Sequence, residues 1–270
     1  MDDVMPLVSI IMATYNDPPG YLSIAIDSII NQTVDNWELI IVDDSDSSPT
    51  IKIIDDYKKK DNRIRVIRGN SKCGFVPALN VGLEHAKGLY VGRMDGDDVS
   101  YPERLETEIN YLEEHSSVDV VGTQTAIIDS DGRKTSEICF PACGLDFRLF
   151  QMFRCPMQHG TILMRRKLLD DGIRYDEDFK RSEDLELWLR LQKKGYQLYN
   201  IQKILYGFRI DDNYAKKRSH SHFKYNVKAR RKNICWKYVL TNIIGLVVAS
   251  IYYMTPSIVK KMVYGRLNGR

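Results

Sequence analysis

The chain has the length and composition of a folded protein with one large domain and an appendage. Its 270 residues are 43% hydrophobic and 28% charged, which is ordinary for a globular protein and excludes disorder as the main state. The five cysteines are odd in number and scattered, and Met1 is followed by acidic residues rather than by the basic and apolar runs of a signal peptide. We therefore expect a reducing, cytoplasmic location.

Charge is divided unevenly along the chain. Residues 1–212 contain 26 Lys and Arg against 36 Asp and Glu, whereas residues 213–270 contain 13 Lys and Arg and no acid. A basic segment attached to an acidic domain is expected to have a different partner from that domain. We therefore divide the chain into a domain over 1–212 and a C-terminal segment over 213–270.

The first half of the chain alternates short apolar runs with helical patterns. Strands are predicted over 7–13, 37–44, 64–68 and 89–95, each followed by a helical pattern, and the last of these helices begins near Pro102. After residue 117 the pattern loosens into shorter strands and a helix over 184–194. The alternation predicts an α/β fold, with a mostly parallel, Rossmann-like sheet flanked by helices that a mixed second half completes.

Polar side chains follow the predicted strands at the points where the strands end. In sheets of this kind ligands bind beyond the carboxyl ends of the strands, so these side chains are expected to share one site. They are Thr14, Asn16, Asp43, Asp44, Asp95, Asp97 and Asp98.

The string Asp95-Gly96-Asp97-Asp98 favours a cation site. Carboxylates this close repel one another, and in a cleft they need a compensating cation. Oxygen ligands suit Mg²⁺ or Mn²⁺, which complete their shells with substrate phosphates and water. The alternative is a solvated acidic turn in which Asp98 or Ser100 caps the next helix.

Five segments, in this order, resemble family 2 glycosyltransferases with the GT-A fold over roughly residues 5–210. They are VSIIMATYND at 8–17, IIVDD at 40–44, ALNVGLEHAKG at 78–88, MDGDD at 94–98 and EDLELWLR at 183–190. The resemblance implies an inverting, metal-dependent enzyme that uses Mn²⁺ or Mg²⁺. Such an enzyme moves a sugar from a nucleotide-diphosphate sugar, with a UDP-sugar favoured, to a hydroxyl of a saccharide acceptor in surface polysaccharide synthesis.

The resemblance also implies roles for individual residues. Asp97 in the DXD sequence would hold the metal, with Asp98 as the alternative. Asp184 is preferred as the catalytic base that takes the proton of the acceptor hydroxyl, and Glu183 is the alternative. The nucleotide would be contacted by Thr14, Tyr15, Asn16, Asp43 or Asp44, Lys72 and Asp95. An ordinary explanation of Glu183 and Asp184 is that acids favour the first turn of a helix, with Ser182 as its N-cap.

Two further residues are weaker candidates. His159 would lie on the acceptor side in similar enzymes, although a lone histidine more often has a structural role. Arg209 either contacts the diphosphate or pairs with Asp211 or Asp212.

The basic segment continues into an apolar one. Residues 216–237 hold nine Lys and Arg, and residues 238–259 carry no charge. Three arrangements fit this pattern: a helix lying on an anionic membrane surface, a single membrane span, or a helix packed on the domain. We favour the first, peripheral at the inner face of the cell membrane, with an acceptor carried on a lipid diphosphate. Nucleic acid is not an expected partner, because the acidic domain would repel it.

Two other functions stay open. A nucleotidyltransferase shares the nucleotide-binding α/β design, but it would favour a basic Gly-rich loop after the first strand, and residues 13–20 contain no Lys or Arg. The other alternative is a non-catalytic, membrane-bound scaffold that binds a nucleotide sugar.

Overall fold

A computed structural model describes residues 5–210 and 221–255 of the chain. Its strands are β1 Val8–Thr14, β2 Trp37–Asp43, β3 Ile64–Ile67, β4 Tyr90–Arg93, β5 Val99–Ser100, β6 Val120–Ile128, β7 Lys134–Ile138, β8 Leu163–Arg165 and β9 Leu198–Arg209. Its helices are α1 Pro19–Ile30, α2 Ser48–Lys60, α3 Phe75–His85, α4 Arg104–Glu114, α5 Gly144–Phe153, α6 Lys167–Asp170, α7 Glu183–Lys194, α8 Ser221–Lys232 and α9 Val239–Met254. The predicted strand–helix alternation of the first half is confirmed, with bounds that shift by a few residues.

One sheet joins the strands in the order β3-β2-β1-β4-β8-β6-β9-β5, and β7 pairs with β6. β1 to β4 form its parallel half. Antiparallel pairing begins where β8 lies between β4 and β6, so the second half is mixed, as expected. Because β1, β2 and β4 are parallel neighbours, their carboxyl ends meet at one edge of the sheet.

The sheet is buried on both faces. Along β1, Ile11 packs into one apolar layer with residues of α3 and α7, whereas Ile10 and Met12 pack into the opposite layer with residues of α1 and α4. This is why β1 reads as a continuous apolar run rather than as an alternating one. Trp188 of α7 is fully buried in the first layer and is therefore a core residue.

The C-terminal segment is helical where it is described, and it contacts the domain. Ala229 of α8 packs with Phe179, Leu185 and Leu189 in a small separate cluster. α9 in turn contacts α5 and α8. The stretch Trp236–Met254 is long and apolar enough to cross a membrane by length and composition, and only 11% of it is buried.

A buried arginine of α4 ties the end of β4 to the turn before β8. Arg104 is fully buried, and its Nη1 donates to the carbonyl oxygens of Gly160, at 2.8 Å, and of Arg93, at 3.3 Å. One helical turn later, Glu108 is also fully buried, 3.9 Å from Arg104 Nε. Burial raises the pKa of Glu108 to about 8, although the charge of Arg104 opposes the shift.

We expect the unfolding free energy to fall between about pH 4.5 and about pH 8, because the folded chain keeps a proton on Glu108 that the unfolded chain releases. Glu108→Gln should make this fall smaller, by on the order of 4 kcal/mol, since glutamine does not ionise. Urea denaturation at a series of pH values measures the difference. Glu106→Gln, at an exposed position of the same helix, should keep the wild-type slope. If the unfolding free energy of wild type and of Glu108→Gln depended on pH in the same way, the raised pKa of Glu108 would be contradicted.

Candidate active site

Asn16 holds the loop after β1 to the loop after β2. Its φ is 54°, a left-handed conformation that asparagine adopts more readily than most residues. Its side-chain oxygen accepts hydrogen bonds from the backbone N–H groups of Asp46, at 3.0 Å, and Ser47, at 2.9 Å. Asn16 therefore shapes this part of the edge through the backbone of the neighbouring loop.

Tyr15 and Lys72 lie together at the open side of these loops. Lys72 Nζ donates to Tyr15 Oη at 3.0 Å, pairs with Asp46 Oδ2 at 2.6 Å, and lies 4.4 Å from the centroid of the Tyr15 ring. The Tyr15 side chain is 55% exposed. An exposed ring beside an ammonium group can stack on a planar base and contact phosphate. Sequence reasoning missed Asp46, whose only signal is its place two residues after Asp44.

The two acids after β2 have different surroundings. Asp43 is buried and pairs with Arg68 Nε at 2.7 Å, so its charge is already compensated within the protein. Asp44 is half-buried and accepts hydrogen bonds from the backbone N–H groups of Gly74, at 2.8 Å, and Cys73, at 3.1 Å, just before α3. Of the two, Asp44 is the more accessible to a ligand.

Gly96 lets the acidic loop after β4 pack tightly against the loop after β1. A Cβ atom at Gly96 would lie 2.4 Å from Asp17 Oδ2, so a larger residue would displace that carboxylate. Thr14 Oγ1 donates to the same oxygen at 2.8 Å. Close approach, rather than a positive φ, is therefore what this position requires.

The three acids of the string are held differently. Asp95 Oδ2 accepts a hydrogen bond from Arg93 Nη1 at 2.8 Å. Asp98 is fully buried and accepts one from the backbone N–H of Arg209 at 2.8 Å. Burial raises the pKa of Asp98 well above its usual range, and the charges of Asp95 and Asp97 add to the effect. Asp97 is half-buried, so it is the more accessible of the two predicted metal ligands.

Neither predicted helix cap is made. The N-cap position of α4 is Glu103, so the alternative in which Asp98 or Ser100 caps that helix is wrong. Ser182 does occupy the N-cap position of α7, but it has φ 56° and its side chain makes no capping hydrogen bond. Capping therefore does not explain the acids after β4, whereas Glu183 and Asp184 do lie in the first turn of α7, where acids are favoured.

Arg209 supports the backbone of the acidic loop. It is almost fully buried, and its Nε donates to the carbonyl oxygen of Asp97 at 2.8 Å. Its Nη1 donates to the carbonyl oxygens of Asp129, at 2.8 Å, and Ser130, at 3.0 Å. Asp211 and Asp212, its predicted alternative partners, lie outside the described residues. Arg209 therefore acts on the position of Asp97 through the main chain.

His159 lies beside the first acid of α7. Its Nε2 is 2.7 Å from Tyr175 Oη, and its Nδ1 is 3.8 Å from Glu183 Oε1. Burial lowers the pKa of His159 well below its usual range, and the charge of Arg93 lowers it further. His159 is therefore neutral near pH 7, and its contact with Glu183 is not an ion pair.

Glu183 and Asp184 differ in their surroundings. Burial raises the pKa of Glu183 to about 7, with the charge of Asp184 as the next cause. Asp184 Oδ2 accepts a hydrogen bond from the thiol of Cys155 at 3.2 Å, which orients its carboxylate. Sequence reasoning missed Cys155, because a cysteine 29 residues away in the chain carries no local signal for this contact.

Arg93 lies between the acids after β4 and the acids at the start of α7. It pairs with Asp95, and its charge also acts on Glu183 and His159. Burial alone would lower the pKa of Arg93, but the charge of Asp95, followed by Tyr206, Tyr175 and Glu183, holds it above its usual value. The charge of one buried guanidinium therefore acts on both groups of acids, which are distant in sequence.

The donor set fits a metal ion that shares its ligands with substrate. Within 5–210 and 221–255, no group of three or more His, Cys, Asp or Glu side chains could hold a metal ion. Asp97 can supply a carboxylate oxygen, and Mg²⁺ or Mn²⁺ takes its remaining ligands from phosphates and water. The residues fit an open site of this kind and do not form a closed protein cage.

Two sequence relatives have similar lengths to this chain. The chain is 37% identical over 227 residues to the putative glycosyltransferase EpsE of Bacillus subtilis, covering 82% of this chain and 78% of that protein. It is 25% identical over 258 residues to the amylovoran biosynthesis glycosyltransferase AmsE of Erwinia amylovora, covering 95% of this chain and 94% of that one.

Solved structures share the fold at lower identity. The crystal structure of S. aureus TarS matches with a TM-score of 0.69 and 21% identity, over 93% of this chain but only 44% of the TarS chain. TarS 1–349 in complex with UDP-GlcNAc matches with a TM-score of 0.66 and 20% identity, over 83% and 66% of the two chains. Mannosyltransferase PcManGT from Pyrobaculum calidifontis, in complex with GDP-Man and Mn²⁺, matches with a TM-score of 0.64 and 15% identity, over 98% and 81%.

The profile of the family described as Glycosyl transferase family 2 matches residues 9–173, which is more than half of the chain. This match contains β1, β2, β4 and the acidic loop, the elements that form the carboxyl edge of the sheet. Together with the sequence relatives and the shared architecture, it shows that the chain belongs to glycosyl transferase family 2 and has the GT-A fold.

Proposed function

We propose that this glycosyltransferase inverts the anomeric carbon as it moves a sugar from a UDP-sugar to a hydroxyl of a saccharide acceptor in surface polysaccharide synthesis. The observation that carries the proposal is the arrangement around the buried guanidinium of Arg93, which pairs with Asp95 and whose charge acts on Glu183 and His159. The similarity to AmsE, named for amylovoran biosynthesis, supports the polysaccharide product. The complex of TarS 1–349 with UDP-GlcNAc supports the nucleotide.

The donor is bound along the carboxyl ends of β1, β2 and β4. Tyr15 and Lys72 offer a ring and an ammonium group at the open side, and Asp44 is the accessible acid after β2. Asp95 contacts the ribose, and Asp97 holds the metal ion. When bound, Mn²⁺ or Mg²⁺ neutralises the charge that develops on the leaving diphosphate.

The acceptor is bound on the other side of Arg93, at the start of α7. We assign the catalytic base to Asp184, whose carboxylate is oriented by the thiol of Cys155. Its role is to take the proton of the acceptor hydroxyl as the new bond forms. Glu183 stays the alternative, since a pKa of about 7 also suits a general base.

Asp184→Asn should lower kcat by about 10²–10⁴-fold, because the acceptor hydroxyl loses its proton acceptor. Donor affinity, measured by titration calorimetry, should change little, since the base contacts the acceptor. Glu183→Gln is the matched control at the adjacent position and should keep more turnover than Asp184→Asn. The reverse order of the two variants would assign the base to Glu183. Unchanged turnover in both would favour the non-catalytic scaffold.

Asp97→Ala should abolish the effect of Mn²⁺ on donor affinity and lower turnover by about 100-fold or more. Release of nucleoside diphosphate is measured with Mn²⁺ and with EDTA. Asp98→Asn is the matched control: the Asp98 carboxyl is buried with a raised pKa, so a neutral amide of the same size should preserve the response to Mn²⁺. Full activity of the wild type in EDTA would contradict a metal-dependent reaction.

A panel of nucleotide sugars tests the nucleotide assignment. We expect UDP-sugars to raise the melting temperature in the presence of Mn²⁺ and to be turned over, while GDP-sugars do neither. An enzyme distinguishes epimeric sugars by one or two hydrogen bonds in its pocket, so the panel should contain pairs of epimers. Preference for GDP-mannose, the ligand of PcManGT, would refute the UDP assignment.

We also propose that the enzyme works at the inner face of the cell membrane, on an acceptor carried by a lipid diphosphate. Two features of the C-terminal segment support this location. Residues 213–270 contain 13 Lys and Arg and no acid, which favours an anionic surface. The stretch Trp236–Met254 is apolar and mostly exposed.

A further inference from the structure

Helix α9 packs on the domain through its small residues and exposes its large ones. Gly245 and Ala249 are buried, and a Cβ atom at Gly245 would lie 3.2 Å from Met152 Cα. A helix of a globular protein normally turns its large apolar side chains inward, so this arrangement is reversed. The exposed stripe, spaced by three and four residues, is Leu240, Ile243, Ile244, Val247, Ile251 and Met254.

Helix α5 adds a second exposed apolar stripe next to α9. Leu145, Leu149 and Phe153 follow one another at intervals of four residues and are 58%, 41% and 64% exposed. Phe153 follows directly on Met152, the residue against which Gly245 of α9 packs. We call the α5 stripe and the α9 stripe together the two-helix apolar face. Exposed apolar surface of this extent marks an interaction site.

Helix α8, which packs against α9, is rich in basic residues. Residues 221–255 contain six Lys and Arg and no Asp or Glu. An open groove on α8 is lined by Lys224, Val227, Lys228, Arg231 and Lys232, of which Lys228 and Lys232 pair with Asp178 and Asp176. Trp236, which is 89% exposed, lies just before α9. Apolar side chains flanked by Lys, Arg and Trp are typical of helices that lie at the boundary between lipid headgroups and acyl chains.

The packing of α9 argues against a membrane span. The stretch Trp236–Met254 is long enough to span, so its length does not separate a span from a surface helix, whereas its contacts do. Along this length it contacts α5 and α8, which are themselves held together by a hydrogen bond from Arg230 to the carbonyl oxygen of Gln151 at 2.6 Å. A spanning α9 would have to leave both helices.

We propose that the two-helix apolar face docks on an anionic bilayer and lies flat in its interface, so that α5 of the catalytic domain inserts together with α9. The inference rests on the proposed function and extends it, because it fixes the side of the enzyme that faces the membrane. Cys155 comes two residues after Phe153, a distance of at most about 7 Å along the chain. Its thiol donates to Asp184 at 3.2 Å, so the candidate base lies close to the bilayer surface, where a lipid-linked acceptor arrives.

Flotation of the full chain with vesicles tests the docking face. Vesicles of phosphatidylcholine alone are compared with vesicles that also contain phosphatidylglycerol, and the wild type should bind the anionic ones more tightly. Leu145→Glu and Leu149→Glu should each weaken binding by about tenfold or more, because a charged side chain replaces an inserted apolar one. Leu89→Glu is the matched control, since Leu89 is 52% exposed on the connection between α3 and β4.

Three outcomes would overturn the inference. If α9 anchored the chain alone, as a span would, the α5 variants would bind as tightly as wild type. If Leu89→Glu weakened binding equally, the effect would be one of net charge. If the face joined two copies of this chain, Leu145→Glu would convert a lipid-free dimer to a monomer, as seen by light scattering, and leave vesicle binding unchanged.

Release of nucleoside diphosphate without vesicles separates this inference from the proposed function. The α5 variants should match wild type in that assay, because Leu145 and Leu149 are exposed and lie outside the proposed donor and acceptor sites. Loss of vesicle binding with normal release supports the docking face. The opposite combination is also informative. If the α5 variants bind vesicles weakly but the wild type releases no nucleoside diphosphate from any donor, the proposed function is refuted and the docking face is still supported.

Discussion

The buried guanidinium of Arg93 is the interaction on which the rest of the site depends. A buried positive charge is stable only where acids and hydrogen-bond acceptors compensate it. Asp95 supplies the direct pair, and Glu183 contributes from the start of α7. Because these acids belong to opposite sides of the proposed reaction, the charge of Arg93 links the donor side to the acceptor side.

The same guanidinium also sets the ionisation of its neighbours. Together with burial, its charge keeps His159 neutral, so the imidazole positions its neighbours through hydrogen bonding rather than through charge. It opposes the effect of burial on Glu183, whose pKa nevertheless rises to about 7. Removal of Arg93 would therefore change the charge state on both sides of the site at once, which makes its role hard to study by a single substitution.

The apolar runs and their order along the chain were enough to predict the strands and the edge of the sheet where the acids lie. The apolar runs of β1, β2 and β4 are buried on both faces, so each one reads clearly in the sequence, and their parallel order places Asp43 and Asp95 at one edge. The resemblance of EDLELWLR to its family added Glu183 and Asp184. The prediction of the strands and their edge required only periodicity and order, whereas the roles of Glu183 and Asp184 came from the resemblance.

The contacts that tune the site could not be predicted, because each joins residues far apart in the chain. Nothing near Cys155 indicates that its thiol meets Asp184, and Arg93 reads as an ordinary residue of a strand. Asp98 looks like a metal ligand in sequence, but the backbone of β9 closes over it. The sequence also does not show which side of α9 is buried, because almost every position of the run is apolar and the buried side is set by contacts with α5 and α8.

The thiol of Cys155 has a consequence for reagents that modify cysteines. Burial, followed by the charge of Asp184, raises the pKa of this thiol well above its usual range, so at neutral pH it stays protonated and remains a donor. Alkylating agents and peroxide react with thiolates, and Cys139 and Cys143 are exposed, as is Cys73, whose pKa burial and Asp44 also raise. Oxidative damage should therefore accumulate on the surface first, while the carboxylate of Asp184 keeps the orientation that this hydrogen bond gives it.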